Sequence, residues 1–256
     1  MPSGMHRILK PIYRHARSLP FLWPQRVECN VCGWRGRRFR SNKWHYGILC
    51  PICYSQIRHR LLVAAWSHLD ALAYDRIVRD KRILHFGPEP YITAILKHYT
   101  AQHFTADSLR DDVDLRLDIS NMPTIAAGSC DLVIACDVLE HVEDDIAAIK
   151  ELFRVVSPGG YAILTVPQKD NLEETFEDKS VITPKERERV FGQSDHLRIY
   201  GRSFPRWLEA TGFKVTIVDE ENFSSDLIKR HVLFPLKLST QPLATNYRKV
   251  FFAHKP

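Results

Sequence analysis

From residue 80 onward the hydrophobic pattern changes period repeatedly. Short apolar runs suited to strands occur at Arg82–Phe86, His103–Asp107, Asp114–Ile119, Asp131–Asp137, Tyr161–Val166, Phe213–Asp219 and Lys249–Ala253. Between them, Tyr91–Tyr99, Asp144–Val156 and Ser203–Thr211 read as helices. In Asp144–Val156 the apolar set Ile146, Ile149, Leu152, Phe153 and Val156 falls on one face, and Ser157-Pro158-Gly159-Gly160 gives a helix stop. The run Asp131–Asp137 is continuously apolar between two acids, as expected of a strand buried on both faces. Strands alternating with helices predict an α/β fold with a doubly wound, mostly parallel sheet over residues 80–256. Residues 168–202 interrupt this rhythm with a long polar insertion, and connections of that length are usually functional or mobile.

Upstream, Ile57, Leu61, Leu62, Ala65, Trp66, Leu69, Leu72, Ala73 and Ile77 recur at helical spacing, predicting a linking helix over 57–79. Residues 1–26 form a basic N-terminal segment. Within it, Ile8, Leu9, Ile12, Tyr13, Ala16 and Leu19 could line an amphipathic helix limited by Pro11 and Pro20. Either a membrane-surface contact or an ordinary terminal helix would give this pattern.

Composition is that of a folded globular chain, with 45% hydrophobic and 26% charged residues, which excludes wholly disordered or collagen-like classes. No apolar run is long enough for a transmembrane helix. The N-terminus has no uninterrupted apolar stretch and no small-residue cleavage site, so the expected location is cytoplasmic. Charge is uneven: the net +6 divides into +11 for residues 1–60, where Glu28 is the only acid, and −5 for the remainder. A basic module joined to a mildly acidic body could meet RNA or an anionic surface, or could present a solvated face.

Four of the six cysteines lie in that basic module as Cys29-x2-Cys32-x17-Cys50-x2-Cys53. Two CxxC knuckles at this separation predict a small N-terminal zinc ribbon over residues 27–56. Four thiolates complete a tetrahedron, so the Zn²⁺ would be structural. The intervening Phe39, Trp44, Tyr46 and Gly47 suit a hairpin, and redox thiols are the alternative. The module is too small for a core of its own, so metal would supply much of its folding energy.

In a doubly wound sheet, ligands bind beyond the carboxyl ends of the strands. That rule selects Gly87 with Glu89, Asp107, Asp118, and Asp137 with His141. Asp107 follows Gly87 by twenty residues, an interval suited to hydrogen bonding of ribose hydroxyls, although Asp107 and Asp118 could equally cap turns.

The run Cys136-Asp137-Val138-Leu139-Glu140-His141-Val142 is followed by a helix ending Val155-Val156-Ser157-Pro158-Gly159-Gly160 and by the strand Tyr161–Pro167. It resembles the fourth- and fifth-strand region of class I S-adenosylmethionine-dependent methyltransferases of the ubiquinone-biosynthesis type. The likeness covers roughly residues 80–220. The phrases HFGPE, TFED and FGQSDHLRIYG resemble a bacterial subgroup that joins a four-cysteine ribbon to this domain. One departure concerns the first loop, which usually carries three glycines and here keeps only Gly87.

The resemblance implies S-adenosylmethionine as cofactor. Phe86, Gly87 and Glu89 would hold its methionine end, Asp107 the ribose, and Asp118 with Ile119 the adenine. Asp137 and His141 would face the methyl-transfer region. His141 is a candidate base or a scaffold residue. In the insertion, His196 is a second candidate base, while Asp195, Arg198 and Tyr200 are candidate substrate contacts, Arg198 for an anionic group. The implied activity is methylation of a small-molecule or glycan acceptor at oxygen or nitrogen. The alternatives are an RNA methyltransferase gripping phosphates through the basic ribbon, and a noncatalytic zinc-ribbon interaction protein. Against RNA, the Asn-Pro-Pro-aromatic motif of exocyclic amino methylation is missing.

Overall fold

The computed structural model describes residues 26–43 and 45–256. The N-terminal segment up to residue 25, with its candidate amphipathic face, lies outside the described residues, as does Trp44.

Two two-residue strands, β1 (Val27–Glu28) and β2 (Arg35–Gly36), pair antiparallel across the first cysteine knuckle. An isolated bridge between Arg40 and Leu49 closes the hairpin that leads to the second knuckle. Helix α1 (Ile57–His68) follows. The predicted single helix over 57–79 is broken. Leu69 and Ala73 take extended dihedrals, and the chain passes through a 3-10 turn (Asp70–Leu72) into the short α2 (Tyr74–Ile77). Nor is α1 buried along one stripe: nine of its twelve residues are buried, Arg60 and His59 among them. A helix buried nearly all round must be covered on both sides, here by the ribbon and by the sheet.

The body contains β3 (Ile83–Phe86), α3 (Pro90–Tyr99), β4 (His103–Asp107), β5 (Leu115–Arg116), β6 (Cys130–Cys136), α4 (Asp145–Val155) and β7 (Val156–Thr165). The insertion then forms β8 (Phe176–Glu177), α5 (Pro184–Phe191) and β9 (Arg198–Ile199), with β8 and β9 paired antiparallel. The chain ends with α6 (Phe204–Ala210), β10 (Lys214–Val218), α7 (Ser225–His231) and β11 (Val250–His254).

Seven strands make one sheet in the order β10-β11-β7-β6-β3-β4-β5. The five from β7 to β5 run parallel, whereas β11 is antiparallel to both β7 and β10. The winding direction reverses between β3 and β6. The fold is the doubly wound, mostly parallel α/β arrangement that the alternating pattern predicts.

Successive residues of the central strands go to opposite faces of the sheet. Ile83, Leu132, Ile134, Ile163 and Phe252 pack toward α1 and the ribbon, in one cluster with Val27, Val31, Phe39 and Ile48. Leu84, Val133, Ala135, Leu164 and Phe251 pack on the other face against Ile149 and Leu152 of α4 and Leu208 of α6. The ribbon's apolar residues are therefore continuous with one half of the body's core. Helix α4 starts at Asp144, whose side chain accepts a hydrogen bond from the Ala147 amide at 2.8 Å. The Ser-Pro-Gly-Gly run lies inside β7, where the pairing with β6 shifts register between Cys130 and Leu132.

Candidate active site

Two cavities open where the parallel strands end, and they share Asp137 and His141. The first, about 570 Å³, is lined by Phe86, Gly87, Asp107, Asp118, Ile119 and Val138, together with Asp195 from the insertion. The second, about 350 Å³, lies between body and ribbon, against Asn42, His45, Arg58, Glu140, His196 and Arg248.

In the first cavity Gly87 has φ +56°, and a Cβ there would stand 3.2 Å from Val138 Cγ2. The strand-to-helix turn thus needs its one glycine even without the others. Asp107 Oδ1 accepts the Leu109 and Arg110 amides at 2.9 and 3.1 Å, and Asp118 Oδ1 accepts the Ser120 amide and hydroxyl at 2.8 and 2.7 Å. Both acids therefore shape their turns and line the cavity at once. The dimensions and the two acids on the wall fit an adenosine-containing cofactor. Glu89 is placed differently from the expectation. Its carboxylate turns toward α1, meets His59 Nε2 at 2.7 Å and His85 Nε2 at 3.3 Å, and is not on the cavity wall. Burial opposes its charge, but His59 and His85 hold the carboxyl well below the usual range.

Asp137 is the pivot between the cavities. It has φ +51°, a left-handed backbone conformation just past the end of β6. Its oxygens accept two hydrogen bonds from Arg248, each 2.8 Å, and one from the Thr165 hydroxyl at 2.7 Å, with the Arg58 guanidinium at 3.2 Å. Burial disfavours the ion, yet Arg248 and Arg58 more than offset this and keep the carboxyl below its ordinary range. Beyond Asp137 the chain makes a 3-10 turn, Leu139–His141, which presents two adjacent side chains. Glu140 is almost fully buried, and burial together with the charge on Asp137 raises its carboxyl well above the usual range. His141 Nδ1 meets Asp195 at 3.2 Å, and its ring stands edge-on to His196 at 4.8 Å. Burial and the neighbouring His141 push His196 down to about 4.

Arg198 and Tyr200, expected as substrate contacts, face inward. Arg198 donates to the carbonyls of Leu139, Val142 and Glu143 and to Glu177, and Tyr200 donates to Asp145 at 2.7 Å. Both are essentially without exposure: Arg198 fastens the insertion to the turn carrying Glu140 and His141, and Tyr200 fastens it to the start of α4.

The patterning missed several wall residues: Arg58 near the start of α1, Arg248 just ahead of β11, and Asn42 and His45 from the ribbon hairpin. Arg248 had a usable signal. The residue preceding an antiparallel last strand lies at the same edge as the ends of the parallel strands, but the strand's direction is not written in its composition.

The four cysteines cluster as their spacing predicts, with Cys29 and Cys53 sulfurs 3.6 Å apart and Cys32 and Cys50 3.7 Å apart. Thiolates held about 2.3 Å from one tetrahedral ion lie about 3.75 Å from one another, so these distances fit a zinc ion. Arg60 donates to the Ser55, His231 and Val232 carbonyls beside them. Burial lowers its guanidinium to about 10 against the opposing pull of the thiols.

A methyltransferase-domain family model matches residues 47–218, two thirds of the chain. The chain belongs to this family. It is thus an S-adenosylmethionine-dependent methyltransferase, and the matched region begins inside the ribbon hairpin. No curated protein matches it. Solved structures share its fold at low identity. The carbon methyltransferase CurJ superposes with TM-score 0.50 at 16% identity, covering 78% of this chain and 55% of that one. An S-adenosylmethionine-dependent methyltransferase from Mesorhizobium loti gives 0.49 at 15% identity, covering 75% and 98%. A Burkholderia thailandensis 1,6-didemethyltoxoflavin-N1-methyltransferase with bound S-adenosylhomocysteine gives 0.47 at 12% identity, covering 78% of each. Among the described residues no helix is long and apolar enough to cross a membrane.

Proposed function

We propose that this methyltransferase acts on a small polar acceptor, a small molecule or a glycan unit, at oxygen or nitrogen. The observation that carries this reading is the pair of cavities meeting at Asp137 and His141. When bound, the cofactor supplies a methyl group already activated on a sulfonium. Phe86 and Gly87 border the space for its methionine end, Asp107 its ribose, and Asp118 with Ile119 its adenine. The smaller cavity would take the acceptor. Its volume suits a compact ligand, and Asn42, Gln56, Gln193 and Thr245 supply polar contacts on its wall.

The protein's own contribution is alignment and exclusion of water. Arg58 and Arg248 fix Asp137 between the two sites. With His141 Nδ1–H donating to Asp195, His141 Nε2 is left to receive a proton from an acceptor that must lose one. The four-cysteine ribbon would hold a structural Zn²⁺ through Cys29, Cys32, Cys50 and Cys53, whose shell has no open position for substrate.

Both spaces needed for transfer are present, which supports the enzyme over a noncatalytic interaction protein. The RNA alternative rests on charge, and an acceptor space of about 350 Å³ favours a smaller ligand. Incubation with labelled S-adenosylmethionine and fractionated cell extract tests the reading. Label entering low-molecular-weight or glycan fractions supports it, and label confined to RNA or protein contradicts it.

A further inference from the structure

Where the two cavities meet, three side chains converge that the sheet-end acids do not explain. Glu140, His141 and His196 each present a donor atom, and these atoms lie within 4.8 Å of one another. His196 Nε2 is 4.0 Å from Glu140 Oε1. The polar atoms are buried without satisfaction: Glu140 is 1% exposed and its Oε2 has no hydrogen-bond partner, while His196 is 3% exposed and neither ring nitrogen has one. Buried polar atoms are seldom left unpaired, so three in one place mark a missing partner. All three residues line the acceptor cavity.

We propose that Glu140, His141 and His196 form a second metal site, distinct from the ribbon, which takes a divalent transition ion. Two imidazoles and one carboxylate are a facial donor set that leaves coordination positions open. Facial ligand atoms about 2.0–2.2 Å from one ion lie about 3 Å from each other, so the side chains must close inward by about 1–2 Å when the ion binds.

The surroundings are built for this. Glu140 and His141 are neighbours on one turn, and His196 comes from the insertion. Leu197 donates its amide to the Glu140 carbonyl at 2.9 Å, and Arg198 grips the carbonyls of Leu139, Val142 and Glu143, so the two segments are held in register. Asp195 on His141 Nδ1 fixes the ring so that Nε2 faces the ion, the usual outer-shell support of a ligating histidine.

The open positions face the acceptor cavity, which narrows the acceptor class to a hydroxyl compound whose oxygen binds the ion. This part deepens the proposed function and rests on it; the metal site does not. Coordination makes the hydroxyl more acidic. Its proton passes to water and the oxygen lone pair forms the O–CH₃ bond. The S–CH₃ bond breaks in the same in-line displacement, with its electron pair remaining on sulfur. His141 then serves as a ligand in place of a base.

The test is titration of the zinc-replete protein with Mn²⁺, followed by electron paramagnetic resonance, because this harder ion competes poorly for four thiolates. The expected result is one Mn²⁺ bound per chain, weakened at least tenfold in His196→Ala and in Glu140→Gln, with ribbon zinc content unchanged. Should either variant misfold, Asp195→Asn, an exposed outer position, is expected to weaken binding two- to fivefold in a folded protein. Stoichiometric Mn²⁺ without turnover on any acceptor supports the site and counts against the proposed function alone. No binding up to about 1 mM Mn²⁺, or equal binding in wild type and folded variants, overturns the proposal.

Discussion

The ribbon and the α/β body reach order by opposite routes. The body closes a seven-stranded sheet whose central residues Leu132, Val133, Ile134 and Ala135 are buried on both faces. The ribbon has two strands of two residues each and two cysteine knuckles. The body would persist on packing alone, whereas so small a unit needs a staple. Yet the two are not independent. Phe39 and Ile48 share a cluster with Ile83 and Leu132, and the ribbon supplies Asn42 and His45 to the smaller cavity while the larger cavity is built by the body and its insertion. On the proposed assignment, a unit that would be stapled by metal borders the acceptor, and a self-sufficient sheet borders the cofactor.

The largest effect expected from breaking this division is loss of the staple. Cys50→Ser, or chelation of the ribbon metal, should disorder residues 27–56 and lower methyl transfer at least 100-fold, while S-adenosylhomocysteine affinity changes less than about threefold. Zinc analysis with calorimetric titration of that ligand checks this, and equal loss of both activities would merge the two regions.

Next is Arg248→Ala, which strips a mostly buried carboxylate of the Nη2 that bridges both its oxygens. Removing one member of such a pair costs about 3–5 kcal/mol, and Arg58 remains near Asp137, so a loss of about 2–4 kcal/mol in denaturant melts is expected. Asp107→Ala belongs to the body's side of the comparison. It should weaken cofactor binding about 10- to 100-fold by titration and leave the ribbon's zinc in place.

The effect that is silent at neutral pH is on pH dependence in the body. Burial, with His85 and Lys97 nearby, pushes His103 down to about 4, and His103 Nε2 meets His85 Nδ1 at 3.3 Å. Its folded value lies below the unfolded value of about 6.5. It therefore has no effect above that pH and removes stability as pH falls toward about 4, up to about 3 kcal/mol. His103→Gln should flatten that part of the stability profile measured by urea unfolding between pH 7 and 4.

The contrast also separates what the chain's pattern discloses from what it conceals. The strands were legible because a doubly buried strand such as Asp131–Asp137 has a local signature, and the knuckles because metal geometry fixes their spacing. The break at Leu69 and Ala73 left no such mark, since Leu69, Leu72 and Ala73 keep helical spacing across it. Arg198 and Tyr200 look like surface chemistry in sequence but are buried fasteners in the fold. Arg58 and His45 carried no signal as site residues, and Arg248 only its place ahead of the last strand, because their cavity is assembled from segments about two hundred positions apart. Glu89 illustrates the same limit. Its strand-end position was right for a cofactor contact, but the partner that claims it, His59, comes from a helix read only as a linker.

The most direct test of the account is hydrogen exchange with and without S-adenosylhomocysteine. Protection is predicted at residues 86–87, 107–109, 117–120 and 137–143, the wall of the larger cavity, with residues 42–50 of the ribbon hairpin unchanged. Protection centred on the ribbon hairpin, with the strand ends unaffected, would contradict the assignment of cofactor to the body and acceptor to the ribbon side.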